Sequence, residues 1–341
     1  MDFPSRPSSR APTRGPAPEA VPEGEETADG FSDEAQGPLE APGLADGSAP
    51  SRSDDPSQPE RPLAASPRGK ERRRRGIRSE TLSRTLWALP WLIFAIVVTV
   101  LGGLVFAAAM IALAWGVLTE LFRMIQRARP FEGVAFAAVA GMGLAAHFGE
   151  PFHILLVGVA FVPVLVGFAL ARESLTNVTW ALAATVFAVV WVGLPFAHAV
   201  LLRDLPLHGA ALLVDVLVAT FFTDTFAYVG GRMFGQRPLA PMVSPNKTIE
   251  GLGIGILGGV LGFWLAGLYQ DWLSGPEALL FGLCIALLAP LGDLFESMIK
   301  RDLDVKDTGR MLGPHGGLLD RLDAVMFTVV AGYYLALAIV Y

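Results

Sequence analysis

Residues 84–124 read RTLWALPWLIFAIVVTVLGGLVFAAAMIALAWGVLTELFRM. The run is too long for one buried helix, and Gly102-Gly103 divides it in two. A bilayer core asks for about 20 apolar residues per helix, so the pair predicts two membrane spans. Seven further runs qualify, giving nine: 84–101, 103–124, 132–148, 152–171, 178–201, 209–230, 250–269, 277–298 and 321–340. Turn signals at Arg129-Pro130, Gly149-Glu150-Pro151, Leu205-Pro206 and Gly275-Pro276 separate them. The third and fourth runs read either as two spans or as a tilted or re-entrant pair. The expected fold is all-α, a polytopic membrane helix bundle of about nine spans.

Composition agrees. Hydrophobic residues make up 52% of the 341, charged residues 17%, and mean hydropathy is +0.49. Soluble domains carry roughly 25% charge, so a wholly soluble protein is excluded. A disulfide scaffold is excluded too, because Cys284 is the one cysteine. The polar residues are segregated. Residues 1–83 are rich in Pro, Ser, Gly, Asp and Glu and are expected to form a disordered arm. No apolar core follows the start methionine, so the arm is not read as a cleavable signal peptide. The arm ends in KERRRRGIR, residues 70–78, before the membrane domain of 84–341. That cluster reads as a juxtamembrane anchor for anionic membrane lipids rather than a nucleic-acid patch.

Positive charge gives an independent check on the division. With the N-terminus inside, the arm through Arg84 holds 13 of the 26 Lys and Arg. The other inside loops hold Arg123, Arg127, Arg129, Arg172, Arg232, Arg237, Lys247, Lys300, Arg301, Lys306, Arg310 and Arg321, and the outside loops only Arg203. Such sorting predicts a cytoplasmic N-terminus. Two inside loops, 231–249 and 299–320, are long and polar, and are expected to carry function on the cytoplasmic side.

The last of them, with its flanks, reads GDLFESMIKRDLDVKDTGRMLGPHGGLLDRLDA, residues 292–324. Asp293, Glu296 and Lys300 share a helix face. Asp320 and Asp323 repeat the three-residue spacing at the start of the final span. Acids on the ends of two adjacent helices can converge on one point, and hard oxygen ligands of this kind suit Mg²⁺ beside phosphates. Lys300, Arg301, Lys306, Arg310 and Arg321 offer the cations that phosphate oxygens need. A plain solvated loop would explain Lys306 or Asp302, but not Asp293 and Asp323 against apolar helix ends. The earlier loop, TDTFAYVGGRMFGQRPLAPMVSPNKTIEG (223–251), places Asp224 at the inner end of the sixth span. Ser244 is expected to cap the seventh span, with Lys247, Thr248 and Glu250 in its first turns. Helix N-termini attract phosphate, so this segment reads either as a binding site or as capping alone.

These residues resemble the phosphatidate cytidylyltransferases, the CDP-diacylglycerol synthases. The likeness rests on Ser297-x-Ile299-Lys300-Arg301, Lys306-Asp307-x-Gly309 and His315-Gly316-Gly317-Leu318-x-Asp320-Arg321-Leu322-Asp323. SPNKTIEG, with Asp224, Ala227-Tyr228 and Gly231-Arg232 ahead of it, is similar to the family's second motif. The order Gly313-Pro314 and the residue Asn246 depart from the commonest form. The resemblance implies CMP transfer from CTP to phosphatidate with Mg²⁺, giving CDP-diacylglycerol and pyrophosphate, in a bacterial inner membrane. It further implies Asp293, Asp320, Asp323 and Asp224 as metal ligands. Lys300, Arg301, Lys306, Asp307, His315 and Arg321 are then the catalytic set, and Arg232, Ser244, Lys247, Thr248 and Glu250 bind substrate. Two rivals are a CTP-dependent lipid-alcohol kinase and a secondary transporter coupled through Asp215 and Asp224.

Asp215 is expected to be a buried, paired acid lining the active-site cavity, and Glu120 either to pair with Arg123 or to face that cavity. His147, His153, His198 and His208 lack ligand spacing. The glycines of the seventh span predict close helix packing, as a tight bundle or a homodimer seam.

Overall fold

In the computed structural model of the chain, the described residues are 90–309 and 316–341. The expected disordered arm, its basic run, Arg310 and His315 lie outside them. The first elements are the helices α1 (Pro90–Leu101), α2 (Gly103–Met124), α3 (Glu132–Phe148) and α4 (Pro151–Leu170). Then α5 (Val178–Ala188), a π turn (Val189–Gly193) and α6 (Leu194–Asp204) run on as one 27-residue helix. α7 (Gly209–Phe234) leads into a hairpin of β1 (Pro238–Ala240) and β2 (Ser244–Thr248), followed by α8 (Ile249–Gly267), α9 (Gly275–Asp302) and α10 (Leu319–Ile339).

Seven of these helices are long and apolar enough to cross a membrane, which makes the chain an integral membrane protein. The expected first and third spans are the shorter apolar helices α1 and α3. Lipid offers the backbone no hydrogen-bond partner, so an apolar run must satisfy itself as helix. The breaks fall where side chains can take over that role. Ser274 and Glu277 cap the start of α9 reciprocally, with Pro276 in its first turn, and Glu150 and His153 do the same for α4. α7 and α9 have 26 and 28 residues. At 1.5 Å per residue both exceed a hydrocarbon core of about 30 Å, so their last turns stand clear of it.

Packing follows residue size. The glycine stripe of α8 lies against α7 of the same chain: a Cβ on Gly255 would come within 2.8 Å of the Thr223 carbonyl. The stripe serves the bundle itself, the first of its two sequence readings. Large apolar side chains such as Leu156, Val159 and Phe168 on α4 and Leu257 on α8 face outward, as lipid contact requires. The joined α5–α6 helix is buried along most of its length at the centre.

Candidate active site

The C-terminal turns of α7 and α9 and the first turns of α10 meet at one end of the bundle. Gly292 permits the closest approach, because a Cβ there would stand 2.9 Å from the Ala324 Cα. Backbone against backbone, α9 and α10 bring Asp293, Glu296 and Asp323 together. One carboxylate oxygen from each lies within 4.8 Å of the other two. Glu296 and Asp323 are buried, and Glu296 Oε1 has no hydrogen-bond partner among the described residues. Asp224 of α7 stands near enough for its charge to act on Asp293 and Asp323.

Cations are set around these acids. Lys300 donates to Glu296 Oε2 and to Asp320 Oδ1, each at 2.9 Å. Lys247, on β2, pairs with Asp293, whose other oxygen accepts from the Ser297 hydroxyl at 3.3 Å. Asp320 is also a loop anchor, accepting from the Gly317 and Thr308 backbone N–H groups at 2.9 and 3.2 Å. Of the four expected metal ligands, the structure therefore brings Asp293 and Asp323 together, with Asp224 at their edge. Asp320 turns toward Lys300 and the loop, and Glu296 completes the cluster.

Glu120 holds the loop from below. This α2 carboxylate is fully buried and accepts from the Thr308 hydroxyl at 3.2 Å and the Leu319 N–H at 2.9 Å. Gly309 and Gly317 lie directly on it: added Cβ atoms would approach its oxygens to 2.6 and 2.7 Å. Gly316 has φ +86°, a left-handed conformation that glycine adopts without strain.

The second loop differs from its expected form. Residues 244–248 are a strand, and Thr248, not Ser244, caps α8 by accepting from Gly251 N–H at 3.1 Å. Pro245 and the β-branched Thr248 suit extended backbone, so the cap falls at the last extended residue. Glu250 Oε2 accepts from the backbone N–H of Gln236 and Arg237 at 3.0 and 3.2 Å, tying the end of α7 to the start of α8. Arg301 Nε donates to the Val243 carbonyl at 3.2 Å and fastens the hairpin to α9. Arg232 donates to the Tyr228 hydroxyl, while Lys306, Asp307 and Arg321 are exposed.

Two residues escaped assignment from the sequence. Glu296 was visible only as a face-mate of Asp293 and Lys300, and nothing local marks Glu120 as partner of a loop 188 residues away. Asp215 corrects an expectation: it is buried and paired, but with Gln270 Nε2 at 2.6 Å. It lies nine residues before Asp224 on α7, about 13 Å along the axis, and lines no part of the acid cluster.

Comparisons with known proteins place the whole membrane region in one family. The pattern of the Cytidylyltransferase family matches residues 82–339. The phosphatidate cytidylyltransferase of Mycobacterium leprae is 37% identical over 165 residues, 48% of this chain and 53% of that protein. An uncharacterized protein of Escherichia coli is 36% identical over 216 residues, covering 55% and 68%. The phosphatidate cytidylyltransferase of Helicobacter pylori strain J99 is 34% identical over 245 residues, covering 69% and 86%. The chain thus spans about half the length of the mycobacterial relative and most of the Helicobacter one. The matched region takes in every described helix and both polar loops, and on that extent the chain belongs to the cytidylyltransferase family.

Proposed function

We propose that the chain transfers the CMP group of CTP to phosphatidate, giving CDP-diacylglycerol and pyrophosphate. The observation that carries this reading is the Asp293–Glu296–Asp323 cluster, with Glu296 and Asp323 buried and with Lys247 and Lys300 paired to it, in a family of cytidylyltransferases. Three hard oxygens within 4.8 Å, one residue with a buried oxygen unpartnered among the described residues, fit a small divalent cation. Asp293, Glu296 and Asp323 would hold it, with Asp224 beside them. Bound there, Mg²⁺ would withdraw charge from phosphate oxygens.

In the reaction a phosphatidate oxygen forms a bond to the α-phosphorus of CTP, and the bond to the bridging oxygen of the β-phosphate breaks. Pyrophosphate leaves with that electron pair. Both reactants are anions, so charge neutralisation is the main task. Lys300 and Lys247 sit against the acid cluster and can turn to incoming phosphates. Arg232, Arg301, Lys306 and Arg321 lie on the helix ends and the loop that flank it in sequence, and His315 belongs to the same loop as Lys306. A phosphate nucleophile is already ionised near neutral pH, so no side chain has to remove a proton. Glu250 and Thr248 shape the hairpin and the α8 start around Lys247, Asp307 belongs to the loop that carries Lys306, and Asp320, in the first turn of α10, anchors that loop.

The sorting of Lys and Arg supports a cytoplasmic position for this end of the bundle, where CTP is available, and the reading assigns the chain to a bacterial inner membrane. Incubation with phosphatidate and α-labelled CTP tests the reading: label should enter lipid and pyrophosphate should be released. Release of CDP instead would identify a lipid-alcohol kinase. An impermeant maleimide should label a Gln236→Cys variant only in inverted vesicles.

A further inference from the structure

Under α1 lies a cavity of about 410 Å³ that the acid cluster does not use. Its volume is that of a small-ligand pocket. The walls come from α1, α2, α6, α7 and α10 and are apolar almost throughout, with Arg321 the one charged residue among the described ones that line it. Along α10 the lining runs from Leu318 to Val329, roughly 16 Å at 1.5 Å per residue. Along α7 it follows Leu213, Leu217 and Phe221, one turn apart on a single face. Asp224 comes three residues after Phe221 on that same face, and it is exposed. The inner end of the cavity therefore lies beside Arg321 and Asp224, next to the acid cluster, while the rest is hydrocarbon-lined. The outer wall is α1, a helix of 12 residues.

A slot that is apolar along its length and cationic at one end matches an anionic amphiphile. We propose that this cavity is the acyl-chain site of the lipid substrate, with one chain between α1, α7 and α10 and the phosphate set between Arg321 and the acid cluster. The assignment rests on the lipid phosphate being the nucleophile, as proposed above. Apolar cavities stay dry and take up apolar matter, so the chain displaces no bound water as it enters. Discrimination comes from the Arg321 end, because a phosphate monoester carries more charge than the diester of a zwitterionic lipid.

The test uses the full-length protein in nanodiscs and phosphatidate with a diazirine near the end of one acyl chain. After irradiation, adducts should map to residues 91–99, 213–221 and 322–329. The same photoreactive chain on phosphatidylcholine should label these segments far less. Val325→Trp and Leu217→Trp each fill the cavity; each should raise KM for dioleoyl phosphatidate about tenfold and leave dihexanoyl phosphatidate and CTP unaffected. Adducts elsewhere, equal labelling by phosphatidylcholine, or equal effects on long and short chains would overturn the proposal. The wild-type adduct map decides even if a tryptophan variant fails to fold. If adducts fall in the cavity but CTP never labels lipid, the acyl-chain site stands and the proposed reaction is what fails.

Discussion

Glu120 and Thr308 stand 188 residues apart in the chain and share a buried hydrogen bond of 3.2 Å. The same carboxylate accepts from the Leu319 N–H, so one α2 side chain ties Thr308, next to Lys306 and Asp307 in the loop, to the start of α10. Its removal should therefore act on the loop at a distance. Glu120→Ala leaves two buried donors unpaired, about 1–3 kcal/mol each, and lowers Tm. Misplacement of the loop should reduce kcat/KM for CTP by up to ~10²-fold. Glu120→Gln keeps an acceptor and the volume, and should recover most of both. A Gln variant as defective in turnover as Ala, at restored Tm, would contradict a positioning role.

Lys300 is the cation between two buried or half-buried acids, Glu296 and Asp320. Lys300→Met leaves both carboxylates without it, and breaking a buried pair in this way costs about 3–5 kcal/mol. Adding Glu296→Gln should restore part of that stability but no CMP transfer. Thermal unfolding in detergent, beside the labelled-CTP assay, separates the two effects.

The metal set can be read directly with Mn²⁺ and electron paramagnetic resonance. Asp293→Asn, Glu296→Gln and Asp323→Asn should each weaken binding by at least ~10²-fold, beyond what loss of an outer partner does. Asp320→Asn, whose carboxylate is engaged by Lys300 and the loop backbone, should weaken it less and raise KM for CTP instead. Equal losses for Asp320→Asn and Glu296→Gln would make Asp320 a ligand as well.

Asp215 and Asp224 share α7 but not a site. Asp215→Asn should leave CMP transfer intact and destabilise by roughly 1 kcal/mol, since only the charge on its hydrogen bond to Gln270 is lost. Abolished turnover in a folded Asp215→Asn protein would refute the separation of the two acids.

Much of the candidate site was legible because its residues are close in sequence. Asp293, Glu296 and Lys300 fall on one face by helical period alone, and the ion pair of Lys300 with Glu296 at 2.9 Å follows from a four-residue spacing. Ser244 misled because capping preference is local, whereas the hairpin that makes 244–248 a strand depends on pairing with 238–240. Glu120 was illegible for the opposite reason: its partners lie across the fold, and an isolated carboxylate near a helix end looks the same whether it faces water or a loop.

By itself the sequence determined the membrane helices, since only intrahelical bonding satisfies an apolar backbone in lipid, and it marked the two polar loops and their charges. Tertiary structure decided which carboxylates meet. Rotation about each helix axis and the contact of α9 with α10 at Gly292 depend on packing between distant segments, and no local spacing encodes that. The same packing turned Asp320 toward Lys300, put Glu296 in the cluster and left a hydrocarbon-lined cavity under α1.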